Sequence, residues 1–403
     1  VHNTAINAAT QRKLWRQSID QNSTLAPAVT SYDFTQYNLS LPANRPDLLK
    51  EALQWLAGTA GSMVINPQMV NAALNASDPT ASWPANPGDV WWRYRLKGSA
   101  LLAHDPQASS AVPVDVAQLN SFYHKWYTPD AMTLYVVGNV DTRALSEQIG
   151  KTFSSLSGKR NTPPSVAVLP PLSDQAVNLV DNQGVGDRLS LIWDMPWSPI
   201  TDSHSLQQYW LGDLAREVLY WHLQPAEPET TNTDTRFGLD CRVFYQRAQC
   251  GLNIDTSAEN MPGQVDKVAT DFANLRDKGL TQSEFDSLMA RKLTELNTLF
   301  ATYARTGTQT LMSQRLRSQQ NAVVDISPEQ YQRLRQAFLG GLTLEALNHE
   351  LHLQLSQPLS MVLVQPQGEA EIPVNSLKTR FDGILNPSTG SGETPSPAPA
   401  ANQ

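Results

Sequence analysis

Residues 122–141 read FYHKWYTPDAMTLYVVGNVD, and this stretch decides how the first half of the chain is read. Phe122, Tyr123, Trp126 and Tyr127 lie in a helix predicted over 114–127. Thr128 and Pro129 stop it, because proline lacks the N–H that a further turn needs. The apolar run 132–137 has the length of a strand and reads as a buried one. Gly138 and Asn139 supply the turn that follows it. A second helix is predicted over 142–153, ending before Gly158.

Working outward, residues 8–19 form an amphipathic stretch and 32–41 read as a strand in which Phe34, Tyr37, Leu39 and Leu41 are apolar. Pro46 and Asp47 start a helix whose Leu48, Leu49, Ala52, Leu53 and Leu56 share one face before Gly58. Another helix is predicted over 66–77, then a loop rich in Pro, Ser and Gly, then WWRYRLKGSALL at 91–102. Residues 161–175, NTPPSVAVLPPLSDQ, carry four prolines and read as an extended linker.

The second half repeats the theme. Strands are predicted at 177–180 and 188–193, a long helix at 206–223, and helices at 261–278, 281–304 and 328–339. Residues 338–366 place a helix before a terminal buried strand, the order seen in 121–138, which reads as a weak internal duplication. Strands and helices mix without regular βαβ alternation, so the fold class expected is α+β: two related domains, each a mostly antiparallel sheet packed with helices. The domains are placed at 1–160 and 176–385, with the linker at 161–175 and a low-complexity, disordered tail at 386–403.

The length of 403 residues supports two domains. A formal charge of −8, with 40% hydrophobic residues, describes a soluble globular chain. It argues against a nucleic-acid surface, which needs clustered cations. No apolar run reaches the roughly 18 residues of a membrane span. The chain starts at Val1 rather than Met, so a processed product or a fragment is expected, with the first domain incomplete. For the same reason the lack of a visible signal peptide carries no message about compartment.

Cys241 and Cys250, the two cysteines, lie in FGLDCRVFYQRAQCGLNI, which reads as a β-hairpin. Folding about Tyr245 and Gln246 would set the cysteines opposite each other, within reach of a disulfide. Tyr-Gln is poor chemistry for a two-residue turn. Two readings therefore stay open: a disulfide, which implies an oxidising compartment, or two buried thiols in a sheet.

GSALLAHDP at 98–106, the aromatic stretch 122–141 and the helix ending at Phe153 together resemble the pitrilysin/insulinase metallopeptidases. The Phe-Tyr, Trp-Tyr-x-Pro and Val-Val-Gly-Asn-Val-Asp segments are the most specific part. The resemblance is similar in feel to enterobacterial periplasmic members that lack the zinc motif, and it implies a periplasmic location. An active member needs His-x-x-Glu-His on a helix, two zinc ligands and a general base. His2, His104, His124, His204 and His222 are isolated. His349-Glu350-Leu351-His352 has i, i+3 spacing and reads as the surface of an amphipathic helix. The third ligand, a glutamate, belongs between the helix at 48–57 and GSALLAHDP. No glutamate occurs from 52 to 146, and the helix that should carry it reads NPQMVNAALNASD, with Asp78 at its end.

The family also holds substrate backbone with an Arg and a Tyr ahead of the hairpin. Matching FGLDC to that segment puts Cys241 at the Tyr position and Asp234 near the Arg position, with Arg236 and Tyr245 as alternatives. Trp91 and Trp92 read as satellite core or as a peptide or partner contact. No Gly-rich phosphate loop and no Gly-x-Ser-x-Gly occur.

Three functional expectations follow. The first is a non-catalytic homologue, without a cofactor in this chain, that binds peptides, unfolded polypeptide or a partner subunit through contacts such as Trp91, Trp92 and Arg236. The second is a zinc endopeptidase whose metal motif lies upstream of Val1. The third is a subunit that completes the site of a motif-bearing homologue.

Overall fold

The segments marked as strands in the second half assemble into one five-stranded sheet. The computed structural model describes residues 28–387 apart from 32, 42–44, 77–88, 98, 100, 102–112, 165, 173–174 and 225–233. The stretch 8–19, Asp78, most of GSALLAHDP and the tail beyond Pro387 lie outside the described residues.

In the first half, β1 (Ala28–Thr30) and β2 (Thr35–Tyr37) form an antiparallel pair. They are followed by α1 (Pro46–Gly61), α2 (Pro67–Ala76), α3 (Val90–Leu96), α4 (Val116–Trp126) and α5 (Thr142–Phe153). α1 buries Leu48, Ala52 and Trp55 beneath Tyr37 and Leu39, and Trp55 meets the Tyr37 ring edge-on. Asp115 and Asp141 cap α4 and α5 by accepting hydrogen bonds from first-turn backbone N–H groups. Buried Tyr123 ties α4 to α1: its hydroxyl donates to the Thr59 carbonyl at 2.8 Å and accepts from the Met63 N–H at 3.2 Å.

Two expectations are corrected here. The strand expected over 32–41 shortens to Thr35–Tyr37. The apolar run 132–137 is not a ladder strand: no described strand pairs with it, and Leu134 is 36% exposed. Apolar periodicity reports which residues avoid water, whereas a strand also needs a neighbour to take its N–H and C=O groups.

The large sheet holds β3 (Ala176–Asp181), β4 (Asp187–Pro196), β5 (Arg236–Phe244), β6 (Arg247–Thr256) and β7 (Ser360–Pro366), in the order β3-β7-β4-β6-β5. β3 runs parallel to β7, and the other pairs are antiparallel. Successive side chains alternate between faces. Leu189, Leu191, Trp193, Leu252, Ile254, Met361 and Leu363 point to one face and form the main core with α6 (Ser203–Leu223), α7 (Met261–Lys278), α8 (Gln282–Thr302), α10 (Pro328–Gly341), α11 (Leu344–Leu355) and α12 (Val374–Leu385) packed around them, while α9 (Thr308–Gln320) adds no residue to it. The result is an α+β fold with its core on one side of a mostly antiparallel sheet.

Three of these helices start with reciprocal caps: Asp202 with Ser205, Thr281 with Glu284, and Ser327 with Gln330. α7 ends at Gly279, whose φ of +66° suits glycine. A side chain there would also collide with Asn348, which accepts from the Leu280 N–H at 2.8 Å and donates to its carbonyl at 3.2 Å.

Candidate functional site: the β5 edge and the second face of the sheet

β5 is the outermost strand of the sheet, and its position starts with its turn. Tyr245 and Gln246 have φ of 46° and 63°, so the hairpin closes in two residues, both in a region that non-glycine residues disfavour by roughly 1–2 kcal/mol each. Tertiary contacts hold it there. The Tyr245 carbonyl accepts from the Leu169 N–H at 3.1 Å and the Gln246 carbonyl from the Trp197 N–H at 2.9 Å. Phe244 meets Trp92 edge-on at 4.6 Å, inside a cluster of Trp92, Leu96, Leu101, Leu169, Phe244 and Tyr245.

The two-residue turn sets the register, in which Cys241 faces Cys250 and the two sulfurs are bonded. Their Cα atoms are 4.1 Å apart, the close spacing of an antiparallel pair whose own N–H and C=O groups point outward. By alternation, the backbone groups of Phe237, Leu239, Cys241 and Val243 face away from β6. No described residue hydrogen-bonds to that edge.

The second face of the sheet divides in two. Over β3, β7 and β4 it is apolar: Val177, Ile192 and Val362 lie beneath Trp91 and Tyr94 of α3. Over β4, β6 and β5 it is polar, and register pairs run across it in rows. Arg188, Asp255 and Arg236 form one row. Arg188 makes two hydrogen bonds to Asp255, at 2.6 and 2.9 Å, which raises the pKa of its guanidinium. Arg236 is exposed, and its guanidinium forms no ion pair with a described residue. Ser190, Asn253 and Gly238 form the next row, with Ser190 Oγ donating to Asn253 Oδ1 at 2.6 Å. Then come Ile192, Gly251 and Asp240, with Arg242 Nε donating to Asp240 at 2.9 Å. Two glycines on adjacent strands leave the middle rows low, a place where another backbone can approach closely.

The joint between the halves borders this face. Asp194 accepts from Arg95 Nη2 at 3.2 Å, Arg247 Nη2 at 3.0 Å and the Leu172 N–H at 2.8 Å. Arg95 also donates to the Pro170 carbonyl at 2.6 Å. Burial lowers the Arg95 pKa, partly countered by Asp194. Arg95 comes from α3, so one buried carboxylate fastens the first half to the sheet.

The remaining candidates fall elsewhere. Trp92 is 3% exposed and Trp91 stacks on Tyr94, so both belong to the joint, and Trp92 is removed from any solvent-facing contact. Tyr245 is buried in the turn and Asp234 precedes β5. Between His349 and His352 lies buried Leu351, and His352 Nδ1 is 3.0 Å from the Arg276 carbonyl. Among the described residues no three His, Cys, Asp or Glu side chains are grouped as metal ligands are. The stretch 52–146, where the family zinc centre takes its glutamate, holds none, so these residues do not fit that centre. Sequence reasoning missed Arg95, Asp194 and Arg247, which are far apart along the chain.

Residues 113–292 match the family model described as the peptidase M16 inactive domain. Protein YhjJ of Salmonella typhimurium is 51% identical over 384 residues, covering 95% of this chain and 78% of that protein. The chain belongs to the peptidase M16, or insulinase, family. A structure described as a predicted insulinase family protease from Yersinia pestis superposes with a TM-score of 0.88 at 55% identity, covering 94% of this chain and 83% of that one. The periplasmic protease PqqL from Escherichia coli shares the fold, with a TM-score of 0.73 at 18% identity over 93% of this chain and 43% of its own.

Proposed function

We propose that this chain is a non-catalytic M16-family protein that binds extended polypeptide by accepting it as a sixth strand beside β5. The observation that carries this reading is the edge itself: outward-facing backbone groups at Phe237, Leu239, Cys241 and Val243, with no described partner. Main-chain hydrogen bonds would supply affinity, and alternate side chains selectivity. On the polar face the incoming strand would meet Arg236, Asp240 and Arg242. Arg236 is the one of the three without a described partner charge, so an acidic residue opposite it is favoured. The stretch 52–146, where the resemblance places the third zinc ligand, holds no glutamate, and this supports binding over hydrolysis. We also assign the protein to the periplasm, the compartment of PqqL, where a disulfide persists.

The test is fluorescence anisotropy with a labelled peptide of alternating valine and glutamate, and with a version N-methylated at alternate amides. The unmodified peptide binds and the N-methylated one does not. Arg236→Glu weakens binding about ten-fold, equivalent to about 1.4 kcal/mol for a charged contact. Equal binding of both peptides would rule out strand addition. Chelator-sensitive cleavage of the peptide by the zinc-supplemented protein would rule out the non-catalytic reading.

A further inference from the structure

The Cys241–Cys250 bond crosses from β5 to β6 near the middle of the outer strand. β5 has a neighbour on one side only. Its tip is well held, because Phe244 and Tyr245 are 4% and 7% exposed within the Trp92 cluster. Its body is less enclosed. Phe237, Leu239 and Val243 are half-buried, while Arg236, Asp240, Cys241 and Arg242 are exposed. The turn also holds two non-glycine residues at positive φ, so local chain preference does not favour this register. Away from the tip, β5 is held by the ladder to β6, by Phe237 against the main core and Lys267, by the Thr235–Thr256 hydroxyl pair at 2.8 Å, and at its centre by one covalent bond.

We propose that this disulfide is a redox latch on the β5 edge: oxidised, it presents a straight strand for addition; reduced, it lets the strand fray from Arg236 inward and weakens binding. This inference rests on the strand-addition reading above and names the regulation of that site. The two sulfurs are unequally placed, which gives the chemistry a direction. Cys250 is 6% exposed and belongs to the main core, whereas Cys241 is exposed. The thiolate of a dithiol reductant attacks the Cys241 sulfur, and the Cys250 sulfur leaves as a thiolate. The second thiol of the reductant resolves the mixed disulfide and releases Cys241. Two electrons and two protons pass to the cysteine pair, and the reductant ends as a disulfide. The docked tip keeps Phe244 and Tyr245 in place, so the register survives nearby and reoxidation restores the bond.

The experiment uses the whole chain, oxidised and then reduced by a dithiol, with the valine–glutamate peptide as probe because it carries no thiol. Peptide affinity and backbone hydrogen exchange are read on the same samples. On reduction, affinity falls about ten-fold and amides of Arg236, Gly238 and Asp240 exchange about ten-fold faster, while Leu252 and Ile254 are unchanged. Reoxidation reverses both effects. Cys241→Ser with Cys250→Ser behaves like the reduced protein whether or not reductant is present. Unchanged exchange at β5, or unchanged affinity despite complete reduction, overturns the latch. Absence of binding by either form, with β5 exchange still responding to reductant, overturns instead the strand-addition reading on which the latch rests.

Discussion

Residues 116–137 and 344–366 carry nearly the same pattern, a helix followed by an apolar run, yet they end differently. In the second half, α11 leads into β7, which lies between β3 and β4, with Met361 and Leu363 at 0% and Val362 at 2% exposure. In the first half, α4 leads through the Pro129 turn into 132–137, which joins no described strand and leaves Leu134 more than a third exposed. The apolar runs are alike, so composition does not separate the cases. The neighbours do. β7 meets β3 on one edge and β4 on the other, and both edges of its backbone are paired. An apolar run becomes a strand where the fold brings pairing partners to it.

The comparison can be broken most directly at the joint that lets the second half anchor the first. Asp194→Ala leaves Arg95 and Arg247 buried without their carboxylate, and stability to chemical denaturant falls by roughly 3–5 kcal/mol. A loss below about 1 kcal/mol would show that the halves are held elsewhere. Next comes the comparison itself. Leu363→Ala in β7 removes a fully buried side chain and lowers stability by about 2–5 kcal/mol, while Leu134→Ala changes it by no more than about 0.5 kcal/mol. Equal losses at the two sites would mean that the two runs are buried alike. The smallest effect is at the hairpin turn. Gln246 is exposed and has φ of 63°, so Gln246→Gly relieves left-handed strain and raises stability by about 0.5–1 kcal/mol. A lower melting temperature would instead assign the Gln246 side chain a contact role.

Much of the second half was legible in sequence because its signals are local. The helices at 206–223 and 261–278 match α6 and α7 closely, and the strands at 177–180 and 188–193 lie within β3 and β4. The cysteine separation pointed to a hairpin but left its register open, because Tyr-Gln is poor chemistry for the turn; the structure pairs Cys241 with Cys250. The clamp by Leu169, Trp197 and Trp92 overrides that turn preference, and these residues lie far along the chain. α9 was not legible: TQTLMSQRLRSQQ buries no residue and has almost no apolar face. α12 falls outside the sequence reading although Val374, Leu377, Phe381 and Leu385 keep helical spacing and are all buried. Of the candidate site, the sequence offered Arg236 as a contact but not the arrangement around it. That β5 is outermost follows from strand order, and the row of Arg188, Asp255 and Arg236 comes from three strands. Neither is written in any one segment.

The open edge of β5 is most directly tested by hydrogen exchange of the oxidised protein with and without saturating valine–glutamate peptide. Amides of Phe237, Leu239, Cys241 and Val243, the outward-facing set, become protected when the peptide is bound, while those of 132–137 do not change. Protection that spares these four amides, or that appears at 132–137 instead, contradicts strand addition at β5.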